Sequence, residues 1–201
     1  MSKSLRRVLR RSVLAAAGGL LAAFALRAKV FLTQEEALRL AFPGAEIVHR
    51  TAFLTPAQQR DAQRLSGDEA TPAALVNFYV GIKDGAATGT AYFDTHLVRT
   101  MPETIMVVVD PAGAIARIEV LSFLEPEEYL PRPGWYAQFT GKALNDELST
   151  KRSIRPVTGA TLTGRATTDA VRRVLALHTI LHAPPAPPSA TTASPTRAGP
   201  R

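Results

Sequence analysis

Hydrophobic and polar positions alternate through the middle of the chain, which is the pattern of half-buried β-strands. Asp84-Gly85 forms a two-residue hairpin turn between two such segments, and Asp110–Gly113 separates another pair with proline at its second position. Charged and aliphatic residues alternate at positions 117–120, which predicts one wet and one buried face for the second hairpin. The predicted strands are Lys29–Leu32, Glu46–Phe53, Leu75–Lys83, Ala87–Thr95, Thr104–Val109 and Ala114–Phe123.

Three segments carry the signals of α-helices. Thr33–Glu36 reads as a capping box, and Thr55-Pro56 places a capping residue before a proline at the first helical position. The third segment, Arg165–His182, has apolar residues at three- and four-residue spacing, with Thr163 as its expected N-cap. The elements together predict an α+β domain in which an antiparallel sheet has helices packed on one side or at its ends.

The two ends of the chain differ from its middle in composition. Residues 1–28 are a basic stretch followed by the uncharged, mostly small and apolar Ser12–Leu26, which fits a signal peptide. An uncleaved membrane anchor extended to Leu32 and a hydrophobic helix of a cytoplasmic protein are the alternatives. Residues 183–201 are rich in proline, alanine and threonine and are predicted to be disordered. The domain is therefore expected at residues 29–182.

Net charge and cysteine content exclude several classes of function. The formal charge is +7, but residues 1–28 carry six of these positive charges, which leaves +1 for the remainder. A domain without a basic surface is a poor nucleic-acid binder, so no nucleic-acid partner is expected. The absence of cysteine excludes thiol catalysis, disulfides and cysteine-ligated metal centres.

The segment Pro156–Gly164, directly before the last predicted helix, concentrates the site-like chemistry. Free N–H groups and the positive end of the helix dipole make such a loop a natural phosphate site, and Arg165 can add a charge-assisted hydrogen bond. The loop contains three hydroxyl groups and two glycines: Thr158, Thr161, Thr163, Gly159 and Gly164.

The loop resembles a Walker A motif but lacks its two decisive residues. Arg165 stands in place of the phosphate-binding lysine, and Ala166 in place of the magnesium-binding hydroxyl. We therefore reject a nucleoside triphosphate site. His178 and His182 have the spacing of two metal ligands on a helix, but no third ligand is evident. We therefore expect a core histidine, a surface histidine and no metal site.

Two further clusters have a structural and a functional interpretation. Residues 125–128 hold three glutamates, for which a solvated charge run is favoured over a carboxylate site. Trp135, Tyr136 and Phe139 form the densest aromatic cluster, expected as a short helix, and core packing is favoured over stacking on a planar ligand. His49 and His96 are isolated in sequence. No catalytic residue is predicted.

Thr158–Thr163, with the sequence Thr-Gly-Ala-Thr-Leu-Thr, resembles the flavin-attachment motif of the FMN-binding domain family. The family includes the periplasmic FMN-carrying subunits of sodium-translocating NADH:quinone reductase and of Rnf-type electron transport complexes. The Asp110–Gly113 hairpin and the Trp135–Lys142 stretch extend the resemblance, which covers roughly residues 75–182. Arg155 stands where family members often carry aspartate.

The resemblance implies FMN bound covalently through a phosphoester on Thr161, made by a dedicated flavin transferase. Thr158, Gly159, Ala160 and Thr163 would shape the loop around the phosphate. Thr163 is the alternative acceptor. Arg165 would assist the phosphate, and Trp135, with Tyr136, would line the flavin ring.

The function so implied is that of an exported electron carrier on the periplasmic side of the inner membrane. It would be soluble or held by its N-terminal segment, and would relay electrons between membrane or periplasmic redox proteins. Two alternatives stay open: a non-covalent FMN-binding module, and a flavin-free exported scaffold that binds a partner.

Overall fold

The computed structural model describes residues 29–183 of the 201-residue chain. The predicted leader or anchor at residues 1–28 and the predicted disordered tail beyond residue 183 lie outside this range. Within the described residues, no helix combines the length and the apolar character needed to cross a membrane.

The six described strands form one antiparallel sheet. Their bounds are β1 (Lys29–Val30), β2 (Glu46–Phe53), β3 (Leu75–Lys83), β4 (Ala86–Leu97), β5 (Pro102–Val109) and β6 (Ile115–Phe123). The order across the sheet is β1-β6-β5-β4-β3-β2, so β5 lies in its interior. The predicted bounds of β2 and β3 are confirmed residue for residue, whereas β1 is shorter than expected.

In the described part of the chain, four α-helices accompany the sheet: α1 (Gln34–Ala41), α2 (Pro56–Ser66), α3 (Pro133–Tyr136) and α4 (Thr161–His182). Both predicted helix starts are confirmed, because Thr33 and Thr55 each accept a hydrogen bond from the backbone three residues on and complete a capping box. Two 3₁₀ turns, Glu127–Tyr129 and Ala137–Phe139, occupy the segment between β6 and α4.

The sheet is covered on both faces, which corrects the expectation of helices on one side or at the ends. Alternate residues of β5 enter two separate cores, with Val107 facing α4 and Met106 facing α1. Both side chains are fully buried. The predicted wet face is therefore wrong for β5, because α1 lies across that face; on β6, Arg117 remains exposed and donates to the Leu40 carbonyl at 2.7 Å.

The larger core lies between α4 and the sheet. Val171, Val174 and Leu175 of α4 are buried in it, and Arg172 ties α4 to the end of α2 through a 2.8 Å bond to the Ser66 carbonyl. These contacts hold the long helix, and with it the loop at its start, in a fixed position relative to the sheet.

His178 belongs to this core, as predicted. It is 9% exposed, its Nδ1 lies 3.0 Å from the Tyr92 hydroxyl, and burial together with the charge of His182 lowers its pKa to about 4. His182 is exposed and stacks on it, with ring centroids 4.1 Å apart. Residues 29–183 contain no group of three or more ligating side chains arranged to hold a metal ion.

Candidate functional site

The loop before α4 turns on Gly159, whose φ of +84° is strained for residues with a side chain. The Ala160 N–H then donates to the Val157 carbonyl at 3.2 Å, and the first helical bond runs from the Gly164 N–H to the Ala160 carbonyl at 2.9 Å. Helix α4 therefore begins at Thr161, four residues earlier than predicted. Ala160, which is 3% exposed, is its N-cap and offers no side-chain cap.

Thr161 is the first residue of α4, and its side chain is exposed. Its hydroxyl makes one weak contact, at 3.4 Å, with the Val157 carbonyl. The leading N–H groups of a helix have no intrahelical partners, and no side chain caps this one. An exposed hydroxyl thus lies beside open N–H donors at the positive end of a 22-residue helix. Thr158 and Gly159, earlier in the loop, are also exposed.

Thr163 is not the N-cap of the helix, contrary to the prediction. It lies inside the first turn of α4 and is 1% exposed, and its hydroxyl donates to the Tyr129 carbonyl at 2.6 Å. The hydroxyl turns away from the helix start because it satisfies a carbonyl of the segment that follows β6. The two threonines therefore differ: Thr161 is accessible and Thr163 is engaged.

We expect Thr163→Val to lower the free energy of unfolding by about 1–2 kcal/mol, because the Tyr129 carbonyl loses the hydroxyl donor that the buried Thr163 provides. Equilibrium unfolding in urea measures this loss. Thr161→Val is the matched control and should change stability by less than about 0.5 kcal/mol, since its hydroxyl is exposed. Equal losses in the two variants would contradict the difference between the two hydroxyls.

Trp135 supports the loop through a hydrogen bond and a packing contact. Its indole N–H donates to the Arg155 carbonyl at 2.7 Å, and the Arg155 N–H donates to Gln138 at 2.9 Å. The ring also packs against Gly164, where an added Cβ would lie 3.2 Å from Trp135 Cζ2. Trp135 is 8% exposed, so the packing interpretation is confirmed; its contact with a flavin ring stays a prediction.

Arg165 points into solvent one turn after Thr161. Its side chain is 76% exposed and its Nε lies 4.0 Å from Asp169, a separation at which an exposed pair contributes little. The guanidinium is thus available to another anion. Arg165 also lines a cleft of about 620 Å³ between α4, the loop after α2 and the β4–β5 turn.

Glu125 corrects the expectation of a solvated charge run. It is 8% exposed, and Oε1 accepts from the backbone N–H groups of Thr100 at 2.7 Å and Met101 at 2.9 Å. The Thr100 N–H bond is the main cause that lowers the pKa of Glu125. Its carboxylate therefore fixes the β4–β5 turn at the edge of the cleft.

A network of charged side chains extends from the cleft lining into the core, and sequence reasoning missed it. His96 is held between two carboxylates, with Nδ1 2.9 Å from Asp94 and Nε2 3.0 Å from Glu103. Glu103 is fully buried and also accepts from the Tyr136 hydroxyl at 3.0 Å and the Thr167 hydroxyl at 2.8 Å.

Burial alone lowers the pKa of His96, but the hydrogen bonds and charges of Asp94 and Glu103 outweigh it and raise the pKa to about 9. His96 is therefore an imidazolium at neutral pH. Asp94 also forms an ion pair with Arg173, whose Nη2 lies 3.0 Å from Asp94 Oδ1. Arg173 Nη1 in turn lies 2.7 Å from Asp68 Oδ2. Burial and Glu103 raise the pKa of Tyr136, so its phenol stays a hydrogen-bond donor.

One region of the chain resembles known proteins. It contains the loop, the first turn of α4 and the segment around Trp135 that supports the loop. Residues 101–176 match the FMN-binding domain family. The resemblance inferred from the Thr-Gly-Ala-Thr segment is confirmed, and FMN is the cofactor that the match supports. No curated protein matches the chain significantly.

The FMN-binding domain match includes Thr161, Trp135 and Glu103, but it begins after two parts of the structure that border the cleft. His96 and Asp94 on β4 lie before it, as do α2 and the loop that follows it. The cleft therefore has one wall inside the matched region and another outside it.

Proposed function

We propose that this protein is an exported electron carrier whose FMN is attached by a phosphoester bond to Thr161. One observation carries the proposal: within the FMN-binding domain match, the accessible hydroxyl of Thr161 lies at the uncapped start of α4. FMN supplies the redox chemistry when bound, and the protein sets its position, exposure and potential.

The residues at the start of α4 fit the phosphate of FMN. A phosphodiester keeps one negative charge, which the open N–H groups and the helix dipole stabilise. Gly159 brings the backbone close without a side chain, and Arg165 supplies an accessible guanidinium one turn away. Thr158, Ala160 and Thr163 complete the loop around the attachment point.

Thr161 is favoured over Thr163 as acceptor on the basis of access. In the ester-forming step, the threonine oxygen bonds to the phosphorus of the FMN group, the bond from that phosphorus to the leaving group of the flavin donor breaks, and the leaving group takes up the hydroxyl proton. The threonine oxygen must therefore be able to reach the flavin transferase. The Thr161 side chain is exposed, whereas Thr163 is 1% exposed and bound to the Tyr129 carbonyl.

The partners and location follow from the same proposal. A flavin transferase would attach the cofactor, and membrane or periplasmic redox proteins would give and take electrons. The composition of residues 1–28 supports export to the periplasmic side of the inner membrane, as a soluble or an N-terminally anchored protein.

Intact mass of the denatured full-length chain, produced in cells that supply an active flavin transferase, tests the proposal. We expect the wild type to gain the mass of one FMN less one water, and Thr161→Ala to lose the gain completely. Thr51→Ala, which removes an exposed threonine hydroxyl on β2, outside the loop, is the control and should keep the adduct. An adduct that survives Thr161→Ala would move the site to another hydroxyl, and no adduct in the wild type would refute covalent attachment.

Arg155 supports a second candidate function, a non-covalent FMN-binding module. It places a positive charge three residues before Thr158, where relatives of the motif often carry aspartate, and its side chain is exposed. In that case flavin absorbance would accompany the native protein through gel filtration but leave it on denaturation. A chain without flavin under both conditions would instead indicate a scaffold.

A further inference from the structure

The cleft beside α4 combines an apolar rim with a charged floor. Leu97, 65% exposed, and Leu162, 51% exposed, are two of the few large hydrophobic side chains of residues 29–183 that are open to solvent, and both line the cleft. Its volume of about 620 Å³ is within the range of cofactor sites. A planar aromatic ligand with polar edges suits such a lining.

Helix geometry brings the cleft within reach of Thr161. Residues four apart on a helix are neighbours on its surface, with Cβ atoms about 5–6 Å apart. Arg165, four residues after Thr161, lines the cleft, as does Leu162, the next residue after the hydroxyl. A group attached to the Thr161 hydroxyl therefore starts one helical turn from the cleft wall.

The floor of the cleft presents cations, and two of their carboxylate partners lie behind them. His96 and Arg173 line the cleft, whereas Asp94 and Glu103, which hold them, do not. Because both ring nitrogens of His96 are bound to carboxylates, the imidazolium is fixed in orientation. Asp94 on β4 and Glu103 on β5 bind the ring, and Tyr136 on α3 binds Glu103. The other charged groups that line the cleft are Arg165, Asp169 and Arg173 on α4, and Asp68 and Glu69 on the loop after α2.

We propose that this cleft receives the flavin ring, and that the fixed positive charge of His96 favours the reduced ring over the oxidised ring. The inference rests on the proposed attachment of FMN at Thr161. It adds a positioned charge from β4, outside the region that matches the FMN-binding domain.

The direction of the effect follows from charge balance. An oxidised flavin ring that gains two electrons from a redox partner and one proton from solvent acquires one negative charge. A buried cation nearby stabilises the product more than the reactant, and at short range in protein the difference is on the order of tenfold in the equilibrium. Removing the cation therefore lowers the reduction potential.

Reductive titration of the FMN-loaded protein with dithionite, in the presence of a reference dye, tests the inference. We expect His96→Gln to shift the ratio of reduced to oxidised flavin about tenfold toward oxidised at the wild-type midpoint. The wild-type potential should also fall more steeply with pH near 9, where His96 loses its proton, and the variant should lack this change. His49→Gln, an exposed histidine on β2, is the matched control and should leave the potential unchanged.

A second measurement uses the wild-type protein and does not depend on a variant that folds. Linkage requires that, if the charge of His96 favours the reduced ring, reduction raises the pKa of His96 by the corresponding factor. NMR titration of the His96 ring protons in oxidised and reduced loaded protein reads this shift directly.

The outcomes separate this inference from the proposed function. A wild-type chain without the mass adduct refutes the attachment, and with it the role of His96. A chain with the adduct, but with the same His96 pKa in both redox states, overturns the inference alone. An unchanged potential in a folded His96→Gln variant does the same.

Discussion

Glu103→Ala is expected to lower the free energy of unfolding by about 3–5 kcal/mol, because it removes one of the two carboxylates that bind the buried His96 and the acceptor of two buried hydroxyls. Glu103 is fully buried and binds His96, Tyr136 and Thr167 together. Equilibrium unfolding in urea at pH 6.5 measures the loss. Glu35→Ala, which removes a carboxylate with a 78% exposed side chain, is the control and should cost less than about 1 kcal/mol.

The pH dependence identifies the charge on His96 as the cause. Its folded-state pKa of about 9 exceeds the ordinary value of 6.5, so its stabilisation is fully present below about pH 6.5 and is lost as the pH rises through 9. The wild type should therefore lose stability on the order of 3 kcal/mol between these limits. Glu103→Ala should show a smaller loss over the same range. A parallel pH profile in the two proteins would contradict an ionic role for the pair.

Trp135→Ala is expected to lower the free energy of unfolding by about 3–5 kcal/mol, since it empties a packed site and deletes the bond to the Arg155 carbonyl. Trp135→Phe keeps most of the ring and loses the N–H, so we expect about 1–2 kcal/mol. Urea unfolding gives both values, and hydrogen exchange of the Arg155 and Ala160 amides, which are both hydrogen-bonded, shows whether the loop opens locally.

The control for Trp135 is Phe53→Ala, because Phe53 is an aromatic residue that is 78% exposed on β2. It should change stability by less than about 0.5 kcal/mol. An equally small loss of stability in Trp135→Ala would show that the indole does not make the stabilising packing contacts described for it. Faster loop exchange in Trp135→Phe without global destabilisation would identify the N–H bond as the specific support of the loop.

Local signals in the sequence predicted the elements that local physics determines. The two capping boxes and the Asp84-Gly85 turn act within a few residues, so α1, α2 and the β3–β4 hairpin were found with correct types. The covered second face of β5 was missed because it depends on α1 packing across the sheet, a contact between segments far apart in sequence.

The features of the candidate site likewise divide into those that the local sequence predicted and those that depend on distant contacts. The Thr-Gly-Ala-Thr loop was recognised from adjacent residues, but the start of α4 was placed too late, because the Thr163 hydroxyl binds Tyr129, a residue 34 positions away. The His96 network had a faint signal: Asp94 and His96 share one face of β4, and the hairpin register sets Glu103 opposite His96. Arg173 completes it from α4, and no local pattern indicates that contact.

The contacts at the start of α4 also imply an order of maturation. Trp135 and Tyr129 give the Thr161 loop its shape, and α4 is the last described element along the chain. The loop can therefore take this shape only once the start of the long helix has docked against the segment that contains Tyr129 and Trp135. If FMN is attached to Thr161 as proposed, a transferase that recognises the shaped loop would load flavin only onto chains in which these contacts have formed, and cofactor content would report the fraction of correctly folded protein.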